Sequence, residues 1–109
     1  MITNRSTTAN AASLVISANP SVLYGLTAYS SKASAQFIQL HDAASLPANG
    51  AVPKVVVTVP ATSNVGIDYG ELGRQFSTGI VVCNSSTQET LTIGSADCWF
   101  DAQVDAARK

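Results

Sequence analysis

The sequence predicts an all-β domain: an antiparallel two-sheet sandwich, jelly-roll-like, of about eight strands behind an extended N-terminal arm. Three observations lead there. Apolar segments rich in β-branched and aromatic residues recur at a spacing of roughly 8–12 residues. Turn chemistry separates them, and no stretch carries the i, i+3, i+4, i+7 stripe of an amphipathic helix over helical length. The 109 residues correspond to one domain, large enough for a core without disulfide or metal staples.

Residues 1–12 are mainly Ser, Thr, Ala and Asn, with Met1 and Ile2 as the large apolar side chains. They read as an arm that becomes ordered by lying on another surface, so that residues 13–109 form the sandwich. The expected strands are "SLVIS" (13–17), "VLYGLTAYS" (22–30), "AQFIQLHD" (35–42), "KVVVTV" (54–59), "NVGIDYG" (64–70), "TGIVVCNS" (78–85), "ETLTIG" (89–94) and "DCWFDAQV" (97–104). Asn19-Pro20, Ser30-Ser31, Leu46 to Gly50, Pro60, Gly70 to Gly73, Ser85 to Thr87 and Gly94-Ser95 punctuate them.

Period-2 alternation places Ile38 and Leu40 with Gln36, opposite Gln39 and a solvated His41. Leu91 and Ile93 alternate with Thr90 and Thr92. The run Val55–Val57 is apolar on both faces, as expected of a central strand covered from both sides or one that meets a partner chain. Pro53 and Pro60 bound that run and limit it as an aggregation-prone edge. Gly79 marks a backbone conformation or a close approach that a side chain would prevent. The tail, 104–109, can form one helical turn with Arg108 and Lys109 at its C-terminal end.

In "DCWFDAQ" (97–103), Cys98, Phe100 and Ala102 point one way and Asp97, Trp99, Asp101 and Gln103 the other. The only tryptophan of the chain therefore sits on the acidic, polar face. Either a loop or the arm of the same chain covers it, or it anchors a contact with another molecule.

Charged residues make up only 12% of the chain and the net charge is −1, so the surface is mostly small and neutral, tolerant of packing against neighbours. Arg5, Lys32, Lys54, Arg74, Arg108 and Lys109 are scattered, which argues against nucleic-acid binding. No segment reaches the ~20 apolar residues of a membrane helix. The N-terminus "MITNRSTTANAAS" lacks the apolar stretch of a signal peptide, so assembly in a cytoplasm is expected. Cys83 and Cys98 default there to reduced thiols, with a disulfide between them left open.

No catalytic constellation assembles, and an enzyme is not expected. His41 stands alone, no Gly-x-Ser-x-Gly elbow is present, and Asp97 and Asp101 lie ~13 Å apart along a strand, too far for a glycosidase pair. A metal site from His41, Asp42 and Asp68 is not demanded by their spacing, and no cofactor is expected.

From Gln36 to Asn84 the order of features resembles small β-sandwich virion proteins of tailed bacteriophages and prophages. The resemblance rests on Ile38, Leu40 and Asp42, on Pro47 and Gly50 in the loop, and on Pro53, Val57, Val59 and Pro60 around the valine strand. It continues with Gly73, Phe76, Gly79 and Ile80 before a Ser/Thr-rich turn. His41 departs from it, since an aromatic residue is more usual there. The resemblance implies a capsid decoration or cement-like protein, homo-oligomeric, located in the virion and bound to the major capsid protein or other virion proteins. The expected interface comprises Trp99, Asp97, Asp101, Gln103, Met1, Ile2 and Arg5. The alternative is a host-attachment or carbohydrate-binding module of the tail, with Tyr24, Tyr29, Tyr69 and Trp99 as the aromatic platform.

Overall fold

A computed structural model describes residues 1–106. Its strands are β1 (Thr3–Ser6), β2 (Ser13–Ser17), β3 (Ser21–Ser30), β4 (Gln36–His41), β5 (Val55–Val59), β6 (Ser63–Asp68), β7 (Arg74–Phe76), β8 (Ile80–Ser85) and β9 (Cys98–Ala106). The described residues contain no helix. A five-stranded sheet runs β1-β9-β3-β6, with β7 also pairing β3, and a four-stranded sheet runs β2-β8-β4-β5. All pairings are antiparallel.

The pairs are nested: β1 with β9, β2 with β8, β3 with β6 and β7, β4 with β5. Successive strands up to β4 alternate between the sheets, and the second half of the chain returns along the first. This long hairpin wound onto itself is a jelly roll. The expected sandwich is therefore present, with nine strands rather than eight.

Between the sheets pack Leu23, Leu26 and Ala28 of β3, Cys98, Phe100, Ala102 and Val104 of β9, and Ile38, Leu40, Ile80 and Val82 from the other sheet. On β9, buried residues alternate with exposed or half-buried ones from Cys98 to Asp105, as a half-buried strand requires. β9 also absorbs Val104 to Ala106, which replaces the start of the expected helical turn; Arg108 and Lys109 lie outside the described residues.

The arm is the first strand of the jelly roll. Its register on β9 runs from Thr3 opposite Val104 to Ser6 opposite Asp101. Beyond it, the Thr7 amide donates to the Phe100 carbonyl and the Thr7 hydroxyl accepts the Phe100 amide. Ala11 exchanges backbone bonds with Cys98. The surface on which residues 1–12 are ordered thus belongs to their own chain. Deleting them strands the backbone groups of Phe100 and Cys98, which are costly to leave unpaired. The truncated protein is expected to melt several degrees below the full chain. Coincident melting curves would restore the reading of a dispensable arm.

Three further expectations change. Residues 89–94 form a loop with a single bridge, Ser85 to Ile93. The Ser85 hydroxyl organises it by accepting the Thr87 and Thr92 amides. Leu91 is buried there, against Val81 and Cys83 on the outer face of the four-stranded sheet. His41 is 3% exposed rather than solvated. Its Nε2 meets Gln39 Oε1 at 3.0 Å, while Gln39 Nε2 donates to the carbonyls of Thr87, Gln88 and Thr90. β5 is an edge strand with Val55, Val56 and Val57 half-buried, not a central strand. Gly79 is a point of close approach, since a Cβ there would stand 2.5 Å from the Ala43 carbonyl oxygen and 2.7 Å from that of Ser17.

Candidate site on the outer face of the five-stranded sheet

The two outer faces of the sandwich differ. Residues 43–54 and 86–94 lie over the four-stranded sheet, tied together by the Gly50 and Leu91 amides, which donate to the Leu91 and Ala51 carbonyls. Across most of the five-stranded sheet the outward side chains stand open. The registers set those side chains in rows. Tyr29 is paired with Trp99 on one side and Asn64 on the other; Thr27 lies between Asp101 and Gly66, and Gly25 between Gln103 and Asp68. On β1, Ser6 extends the Asp101 row and Asn4 the Gln103 row.

Trp99 is 43% exposed and Tyr29 37%. Directly opposed residues on antiparallel strands hold their Cβ atoms about 4.5–5.5 Å apart, so the two aromatics form one side-by-side platform. A cleft of about 190 Å³ runs beside it, lined by Ser6, Thr7, Thr27 and Asp101 as well as the two rings. Ser6 and Thr7 border the cleft beside Trp99 and leave the ring exposed, so its own chain shields it only in part.

Thr27 also borders a wider hollow of about 860 Å³ over Gly25 and Gly66, with Ile2, Tyr24, Asp68 and Gln103 around it. Its depth comes from the two glycines, which leave the pleat bare. A Cβ at Gly25 would lie 2.9 Å from Gln103 Oε1, so the glycine makes room for Gln103, whose Nε2 donates to Asn4 Oδ1.

Acidic groups occupy the outward rows: Asp101 and Asp105 on β9 and Asp68 on β6. Asp105 pairs with the Met1 ammonium at 3.0 Å, and Asp68 accepts the Gly70 amide. One oxygen of Asp101, Oδ1, is buried and has no hydrogen-bond partner. Such an atom is expensive to keep dry unless something completes it. Arg5, Arg74 and Lys54 stand elsewhere. Arg5 pairs with Ala102, on the inward register, and reaches across to the Val15 carbonyl. Arg74 pairs with Leu23, and Lys54 with Asp42 on the other sheet.

Of the expected interface residues, Trp99, Asp101 and Gln103 thus share this face, with Ile2 beside its wider hollow and Met1 at its β1 edge. Asp97 lies just before the strand, bonded to the Ser95 hydroxyl, and Arg5 faces the β1–β2 side. Of the four aromatics considered for a platform, only Tyr29 joins Trp99. Tyr24 borders the wider hollow, and Tyr69 packs against the core, where burial raises its pKa against the opposing pull of Arg74. Alternation in "LTAYS" already turns Tyr29 outward, but its partner depended on a register that only the folded chain supplies.

The remaining reactive groups lie away from this face. Burial pushes the Cys83 thiol up to about 12 and also raises that of Cys98; both are free, Cys83 under the loops and Cys98 in the central core. Burial lowers the pKa of His41. Among the described residues no three His, Cys, Asp or Glu side chains converge as a metal cluster, and no helix is long and apolar enough to cross a membrane. No family model, curated protein or solved structure matches this chain.

Proposed function

We propose that this protein is a structural component of a tailed-phage particle, a decoration or cement protein that docks on the head shell through the outer face of its five-stranded sheet. The observation that carries the reading is the asymmetry of the sandwich. One outer face is covered by the chain's own loops, and the other is open and presents Trp99 and Tyr29 side by side. Exposed aromatics of this kind are over-represented at contact hot spots. The low charge of the chain, 12% Asp, Glu, Lys and Arg, suits a protein packed among copies and neighbours. The resemblance of residues 36–84 to small virion sandwich proteins points the same way.

The test is electron microscopy of particles assembled with and without the protein. Added density on the shell, lost with Trp99→Ala, supports docking through this face; particles that never acquire the wild-type protein overturn it. The second reading, a host-attachment module, is favoured by the Tyr29–Trp99 pair as a stacking platform for a sugar ring. Retention by host polysaccharide, abolished by Trp99→Ala, would select it.

A further inference from the structure

We propose that the Trp99–Tyr29–Asp101 cluster receives an arginine side chain presented by the protein surface on which the sandwich docks. The inference rests on the docking reading and adds the chemistry of the partner. Three observations meet at one place. Trp99 and Tyr29 are paired across β9 and β3, both exposed. Asp101 stands one outward position further along β9, opposite Thr27 and Ser6. Asp101 lines the cleft that the two aromatics also line.

A guanidinium answers all three. Its planar face stacks on aromatic rings, and its edge donates paired N–H groups to a carboxylate. Lysine offers a compact, strongly hydrated charge without the plane or the fork. Complementarity of charge favours a basic partner, since the Met1 ammonium meets Asp105 but no ion pair among the described residues reaches Asp101 or Asp68. Asp68, Asp101 and Asp105 occupy the outward rows of the face, and the registers of Arg5 and Arg74 turn both away from it. A neutral sugar would stack on the rings but leave the Asp101 carboxylate without a counter-charge.

The experiment passes the purified full chain over arginine-coupled agarose, with lysine-coupled and polysaccharide-coupled agarose in parallel, while shell binding is measured separately by co-sedimentation with particles. Retention on the arginine resin is expected, released by salt and by free arginine more readily than by free lysine. Asp101→Asn is expected to weaken both retention and shell binding by about tenfold or more, and Trp99→Ala likewise, with both variants still melting cooperatively. Equal retention on lysine resin, unchanged retention of Asp101→Asn, no retention at all, or capture by the polysaccharide resin alone would each overturn the arginine assignment. If Asp101→Asn still sediments with particles, the docking reading stands and the arginine does not. If the wild-type chain does not sediment with them, the docking reading itself has failed.

Discussion

Phe100→Ala is expected to lose about 3–5 kcal/mol, enough to leave little folded protein, while its neighbour Trp99→Ala folds and fails to dock. Both residues are aromatic and adjacent on β9, and the pleat separates their fates. Phe100 is 1% exposed and packs between the sheets with Leu26, Ala28 and Leu40 in one core. Its removal leaves a cavity in a site walled by two strand ladders, which have little freedom to collapse. Trp99 is 43% exposed beside Tyr29, so truncation removes area that is in good part already wet. The fold should lose about 1 kcal/mol from that cross-strand pair, whereas an anchor in a contact typically carries 2 kcal/mol or more. Thermal melting of both variants, with sedimentation against particles, separates the roles. Should Trp99→Ala melt as early as Phe100→Ala while its folded fraction still docks, Trp99 is a core residue and the docking face lies elsewhere.

The residues that made the fold legible are those with period-2 contrast. "DCWFDAQV" alternates cleanly, and its inward and outward sets are those of β9. "SLVIS" coincides with β2. Where contrast was absent or produced by something other than a strand, the sequence misled. β1, "TNRS", has no apolar residue and is exposed throughout; it is a strand because β9 offers it an edge. "LTI" alternates, yet only Leu91 is buried, and the Ser85 hydroxyl and Gln39 amide hold that segment as a loop. The valine run, apolar on both faces, reads as a central strand or one that meets a partner chain; β5 lies at the edge, half-covered, which removes the first of these. For the site, the outward position of Trp99 was legible from alternation. Its neighbours were not, because Tyr29, Thr27 and Ser6 come from strands distant in the chain and meet it only through register.

A second large effect is expected at Asp42, just after β4. Its Oδ1 accepts the Thr78 and Gly79 amides at 2.8 and 3.3 Å, and its Oδ2 accepts the Ser77 amide and hydroxyl at 3.2 and 2.9 Å. Lys54 Nζ stands 3.5 Å from the same Oδ2. One carboxylate thereby holds the turn between β7 and β8 against the end of β4, at the point where Gly79 packs onto the Ala43 carbonyl. Asp42→Ala strands those donors and is expected to cost about 2–3 kcal/mol, lowering the melting temperature by roughly 10 °C. Asp42→Asn keeps the shape but turns part of the acceptor into a donor, so it recovers only some of the loss.

Acid should expose the same contribution. Partial burial alone would raise the Asp42 pKa. The Thr78 amide, the Ser77 hydroxyl and the other donors outweigh it and hold the carboxyl well below the ordinary 3.8. A depressed folded pKa means the unfolded chain takes up the proton first. The stabilisation is therefore full above 3.8 and is lost as pH falls below it. His41 acts in a separate window. Burial lowers its pKa from 6.5, so the unfolded state again protonates first, and stability begins to decline as pH falls through 6.5. Denaturant midpoints across pH should show both declines in the wild-type chain. Asp42→Ala should lose that residue's share of the acid decline and keep the one that starts near neutrality. If the two proteins lose stability in parallel below pH 3.8, Asp42 is not the group that clamps the turn.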